Sequence, residues 1–133
     1  MPGARSSHAR RLSIVAVVED DPPLLEAIRF SLSAEGYPVR LYDSGEALLA
    51  ADGLDEVSCF VIDHRLPGIA GMALIEELQR RGLKGRVVMI TTRPSANLRE
   101  ACWALGVPIV EKPILGESLN ACIRGLLAVK RDV

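Results

Sequence analysis

The sequence predicts an α/β fold, with five strands and five helices in alternation and the strands in one parallel sheet. Three observations carry this. Short apolar, β-branched runs recur along the chain. Between them lie stretches whose apolar residues repeat at helical spacing. Glycine or proline marks most of the junctions. Strands that are apolar on both faces need helices on both sides, and parallel strands need crossovers of helical length.

Leu12 to Val18, LSIVAVV, reads as the first strand. Pro22 and Pro23 suit the first turn of a helix capped by Asp20 or Asp21. Leu24, Leu25, Ile28 and Leu32 form its apolar stripe, and Gly36 ends it. YPVRLY is a weaker strand, placed at an edge by Pro38. Ser44 caps the short helix GEALLAA, and VSCFVI is the next buried strand. Gly71 to Arg81 is a helix with Met72, Ile75 and Leu78 on one face, stopped by Gly82. RVVMITT is a buried strand. Pro94 opens a helix with Leu98, Ala101, Cys102 and Leu105, stopped by Gly106. VPIV is a short last strand, and Leu115, Leu119, Cys122, Ile123 and Leu126 line the last helix.

Right-handed crossovers and five strands fit the flavodoxin-like order 2-1-3-4-5, a doubly wound (βα)5 sheet. Residues 1–11 read as a disordered, mildly basic tail, 12–129 as the one folded domain and 130–133 as a C-terminal tail. RRLSIVAVV resembles a twin-arginine export signal, but its apolar stretch runs into Glu19-Asp20-Asp21 without a small-residue cleavage site. The formal net charge is -1, which gives no field for nucleic acid or membrane binding. Cys59, Cys102 and Cys122 lack metal-ligand spacing and suit no disulfide framework, so they read as core residues of a reduced, cytoplasmic protein.

Ligands of such sheets sit beyond the carboxyl ends of the strands. There the sequence places Glu19-Asp20-Asp21, Asp63, Thr91-Thr92 and Glu111-Lys112-Pro113. Carboxylates gathered this closely repel unless a cation joins them. All-oxygen ligands favour Mg2+ or Mn2+, and Mg2+ leaves room for a phosphate oxygen. Asp63 then reads as a nucleophile that accepts a phosphoryl group as an acyl phosphate. The cation, the Lys112 ammonium, and the Thr91 hydroxyl or backbone N–H groups would each take one phosphoryl oxygen. Pro67-Gly68 would fix the loop after Asp63. Helix capping explains one acid of the first cluster, not three.

These motifs, VVEDD, D-x-x-L-P-G-x-x-G from Asp63, MITT and EKP, resemble the receiver domain of two-component response regulators. The resemblance runs from about Leu12 to Val129 and is nearest to the branch that includes nitrogen-fixation regulators. It implies that Asp63 is the phosphoacceptor and that Asp20 binds Mg2+ directly, with Glu19 mostly through water. It implies an Mg2+ contact from the Arg65 main-chain carbonyl, Thr91 as switch hydroxyl, Lys112 as the family's lysine, and a cis bond before Pro113. A sensor histidine kinase or histidine phosphotransfer protein would be the donor.

Two positions depart from that pattern. Ile109 stands where receivers usually carry Tyr or Phe, so it has no ring to swing inward. Thr92 stands where receivers favour Ala or Gly and should slow loss of phosphate. Arg65 and Arg93 flank the site, either pairing with the acyl phosphate or as solvated loop charges. His64 reads as an exposed loop residue. Trp103 falls beside the apolar stripe of the fourth helix. It either anchors a partner or a homodimer on the face of the fourth helix, fifth strand and fifth helix, or folds onto its neighbours. With no further domain in view, the ending KRDV favours a receiver that acts alone over a truncated one.

Three functions compete. The first is a phosphorylation-switched receiver without a DNA-binding domain. The second is a pseudo-receiver, an interaction module not switched by phosphorylation. The third is a Mg2+-dependent phosphohydrolase, which would want an acid where Arg65 stands. The acids would repel a nucleotide phosphate, and no Gly-x-Gly-x-x-Gly is present.

Overall fold

Alternation along the strands sorts the core into two faces. In the computed structural model, which describes residues 10–128, Ala16, Val18, Phe60, Ile62 and Met89 pack on one side of the sheet. Val15, Val17, Cys59, Val61, Val88 and Ile90 pack on the other. The elements are β1 (Ile14–Val18), α1 (Pro22–Ala34), β2 (Val39–Tyr42), α2 (Gly45–Leu49), β3 (Val57–Asp63) and α3 (Gly71–Arg80). They continue with β4 (Arg86–Thr91), α4 (Ala96–Leu105), β5 (Ile109–Glu111) and α5 (Ser118–Ala128). All pairings are parallel, in the order β2-β1-β3-β4-β5.

The first face is covered by Leu48 of α2, Leu74, Ile75 and Leu78 of α3, and Leu98 and Cys102 of α4. The second is covered by Ile28 and Leu32 of α1 and Leu119 and Ile123 of α5. The expected doubly wound sheet is therefore present. Each fully buried Leu or Ile contributes about 1.5–3 kcal/mol of apolar burial.

Side-chain caps fix where helices begin. The Asp21 carboxylate accepts from the Leu24 N–H at 3.2 Å, with Pro22 and Pro23 opening α1. The Ser44 hydroxyl accepts from Ala47 N–H at 3.0 Å. A cap the sequence reading missed, Ser95, accepts from Leu98 N–H at 3.0 Å. Each such cap is worth about 1 kcal/mol.

Several boundaries move. Leu12 lies in a turn, 68% exposed, and β1 starts at Ile14. Pro94 stands before the Ser95 cap, and α4 starts at Ala96. Leu115 is 70% exposed, and α5 starts at Ser118. Leu74 joins Ile75 and Leu78 in the core while Met72 is half-buried. Residues 1–9 of the expected tail, and residues 129–133 with the expected C-terminal tail, lie outside the described residues. Arg10 and Arg11 instead end a helical turn, and Ser13 N–H donates to the Arg10 carbonyl at 2.9 Å. No described helix is long and apolar enough to cross a membrane.

Candidate functional site

The strand order sets the carboxyl ends of β1, β3, β4 and β5 side by side. Glu19 follows β1, Asp63 ends β3 and Thr91 ends β4; all three are buried. Lys112 follows β5 and is half-buried, and the Lys112-Pro113 bond is cis. The Lys112 Nζ lies 3.1 Å from Glu19 Oε1 and 3.3 Å from Asp63 Oδ1. One ammonium thus bridges two buried carboxylates.

Asp20, exposed, completes the acidic group. Carboxylate oxygens of Glu19, Asp20 and Asp63 all lie within 4.8 Å of one another. Opposite ligands of an octahedral Mg2+ stand about 4.2 Å apart. The trio therefore fits such an ion after small adjustments or through a water. The donor set is all oxygen, and Glu19 Oε1 has no hydrogen bond of good geometry despite its burial. Both observations favour a hard divalent cation over zinc.

Burial pushes the Glu19 carboxyl up to about 7, and the neighbouring Asp63 adds to the shift against the Asp21 N–H and Lys112. The Asp21 N–H donates to Glu19 Oε2 at 3.1 Å. Burial works against the Lys112 ammonium, but Glu19 and Asp63 outweigh it, and its pKa is raised. The site is built to hold one positive charge and is short of another.

Local packing positions Asp63 tightly. Its Oδ1 accepts from the Arg65 N–H at 3.3 Å. The Gly71 N–H donates to the His64 carbonyl at 3.0 Å. A Cβ on Gly71 would stand 2.5 Å from the Asp63 carbonyl oxygen and 2.9 Å from His64 Cα, so only glycine lets α3 start here. Glu46 Oε2 accepts from Ile69 N–H at 2.9 Å and pins the far end of the loop.

A cavity of about 330 Å³ opens over these groups, lined by Asp63, Arg65, Thr91, Thr92, Arg93 and Lys112. Thr92 is exposed at its mouth. Its anionic floor, ammonium and hydroxyl can take up a phosphoryl group once a cation balances the acids.

Other sites of interest fall elsewhere. Ile109 is half-buried, packs on the first core face and pairs with Met89 across the sheet. Trp103 is 87% exposed on α4, so it does not fold onto its neighbours. His64 was expected in solvent. It is half-buried, with Nδ1 3.5 Å from Thr91 Oγ1. That contact spans 27 residues, and no local pattern signals it. Gly71 carried a signal, as the last glycine of the motif that begins at Asp63.

The family model for the response regulator receiver domain matches residues 15–124. Transcriptional regulatory protein FixJ of Azorhizobium caulinodans is 32% identical over 114 residues, covering 85% of this chain and 54% of FixJ. The chain thus spans about half the length of that relative. The non-phosphorylated HemR receiver domain of Leptospira biflexa superposes with a TM-score of 0.84 at 20% identity, over 91% of this chain and 98% of that one. Response regulator TrrA of Thermotoga maritima, in complex with Mg2+-BeF, superposes with a TM-score of 0.74 at 24% identity, over 86% of this chain and 99% of that one. The two likenesses establish the fold.

Proposed function

This chain belongs to the response regulator receiver domain family, and on that premise we propose that it is a signalling phosphoacceptor modified on Asp63. One observation supports this above the others: Lys112 Nζ stands within 3.3 Å of Asp63 and 3.1 Å of Glu19, at the floor of a cavity that also holds Thr91.

An Asp63 oxygen attacks phosphorus in line, and the bond to the leaving group breaks as the new bond forms. Lys112 neutralises charge on one equatorial oxygen, and the Thr91 hydroxyl donates to another. Asp20 and Asp63, the Arg65 main-chain carbonyl, and Glu19 through water would hold Mg2+ or Mn2+. That ion supplies charge neutralisation of the transferred group. Mg2+ is also present with TrrA. Thr92 crowds the approach of water and slows hydrolysis. The protein is not an enzyme acting on a separate substrate; its chemistry is its own modification.

Phosphorylation adds up to about two negative charges at Asp63. Thr91 moves toward the phosphoryl group, leaves His64, and reshapes the face of α4, β5 and α5, a shift between two packings. Trp103 is the anchor this face offers to a partner or to a second copy. The donor is a sensor histidine kinase or a histidine phosphotransfer protein. Neither nucleic acid nor membrane is contacted directly. A cytoplasmic setting agrees with three free cysteines, one of which, Cys59, has its thiol pushed up to about 12 by burial.

Ile109 favours a second reading, a pseudo-receiver whose docking is not switched. Acetyl phosphate with Mg2+, followed by intact mass, decides between them. A single phosphoryl adduct on the wild type, absent from Asp63→Asn, is the expected result. No adduct on a folded wild type that binds Mg2+ supports the pseudo-receiver.

A further inference from the structure

Three sulfur atoms meet in the core. The chain has three methionines and three cysteines. Both methionines among the described residues, Met72 and Met89, reach the same thiol. Cys102 Sγ lies 3.8 Å from Met89 Sδ and 4.0 Å from Met72 Sδ. The residues come from three elements, Met72 from α3, Met89 from β4 and Cys102 from α4, so no spacing along the chain reveals the group. Met89 and Cys102 are buried in the first apolar core. Met72 packs against that core and is half-buried, which gives the group an edge at the surface.

The thiol is oversubscribed. It carries one hydrogen, and a thioether sulfur accepts weakly and donates nothing. Cys102 therefore serves one methionine at a time, although both stand in reach. A cation in place of that hydrogen serves both. Thiolate and thioether are soft ligands, and among biological metals they select Cu(I). Metal–sulfur bonds of about 2.3 Å in a trigonal plane put the sulfurs about 4.0 Å apart. The two distances from Cys102 match that separation. Charge points the same way. One thiolate and one monovalent cation sum to zero, which an apolar core tolerates, whereas a divalent ion would leave a buried positive charge. Burial also pushes the Cys102 thiol up, so the metal-free group stays protonated and neutral.

We propose that Cys102, Met89 and Met72 form a binding site for a soft monovalent cation, Cu(I). On binding, the Cys102 S–H bond breaks and its proton goes to solvent. The thiolate pair forms the Sγ–metal bond, and each thioether donates one lone pair. Copper arrives as Cu(I) and stays Cu(I), so no oxidant or reductant takes part. Bound there, the ion ties α4 to β4 and α3.

Reduced protein is titrated with Cu(I) under nitrogen against bicinchoninate, beside Cys102→Ala, Met89→Leu, Met72→Leu and Cys122→Ala. The wild type should take up one tight equivalent. Cys102→Ala should lower the affinity about a hundredfold or more, and each Met→Leu about tenfold. Leucine is close to methionine in volume, so the Met→Leu variants should keep the fold. Cys122→Ala should bind as the wild type does. A second measurement needs no core substitution. Ag(I), an air-stable analogue of Cu(I), is added to wild type carrying isotope-labelled methionine methyl groups. The Met72 and Met89 resonances should shift together, saturate at one equivalent, and the melting temperature should rise. Undiminished binding by Cys102→Ala, a Cys102-bound ion that neither Met→Leu variant weakens, or Met72 and Met89 resonances unmoved by excess Ag(I) would overturn the site.

Discussion

Replacing Lys112 by Met should make stability strongly pH-dependent. Its ammonium lies 3.1 Å from Glu19 and 3.3 Å from Asp63, both nearly excluded from solvent. Removing one partner of a buried ionic group costs about 3–5 kcal/mol when the remaining charge cannot be relieved. Here it can be relieved, because Glu19 already titrates at about 7 against an ordinary 4.5. A carboxyl whose pKa is raised by folding favours the fold most below its unfolded value. That advantage is lost as pH rises through the folded value. In the metal-free wild type the loss spans pH 4.5 to about 7 and amounts to roughly 3 kcal/mol at most. Without the ammonium the Glu19 pKa rises further and the loss extends to higher pH. Lys112→Met should therefore be about 3 kcal/mol less stable than wild type at pH 8, and about 1 kcal/mol less stable at pH 5. Urea denaturation in EDTA at both pH values gives the difference. Millimolar Mg2+ at pH 8 should return part of it. An equal penalty at both pH values, or no response to Mg2+, would refute the charge argument.

Three further outcomes follow from the same geometry. Asp63→Asn removes one carboxylate from the cluster, so in EDTA at pH 8 it should melt higher than wild type while gaining less from Mg2+; thermal melts with and without the ion check this. Thr92→Ala should shorten the lifetime of the phosphorylated protein severalfold, measured by the decay of the mass adduct, and a wild-type lifetime equal or shorter would count against shielding by Thr92. Gly71→Ala drives a Cβ into the Asp63 carbonyl, 2.5 Å away. It should cost about 2 kcal/mol or more in denaturant and slow phosphorylation, and a neutral effect on both would show that α3 does not position Asp63.

Much of the fold was legible because continuous apolar runs, helical spacing and short linkers act locally. β1 is apolar throughout and β3 is apolar from Cys59 to Ile62, and the Asp21 and Ser44 caps stand immediately before their helices. Helix starts were less legible. Pro94 is compatible with the first turn of a helix and equally with the residue before the cap, and the Ser95 hydroxyl decides between them. Leu115 matched the spacing of α5 but precedes it, in an irregular connection where its side chain meets solvent. The site residues were legible as chemistry at strand ends, since topology alone brings Glu19, Asp63, Thr91 and Lys112 together. What sequence could not show was who satisfies whom. The approach of His64 to Thr91 and the bridging ammonium depend on tertiary distances between residues far apart in the chain.

The most direct test of the central claim locates the modified residue. The protein is incubated with acetyl phosphate and Mg2+, reduced with sodium borohydride and digested for peptide mass mapping. Borohydride converts an aspartyl phosphate to homoserine. Homoserine at position 63 alone, and none when Mg2+ is withheld, is the expected result. Homoserine at Asp20 or Asp21, or at no aspartate of a folded and Mg2+-binding protein, would contradict the account.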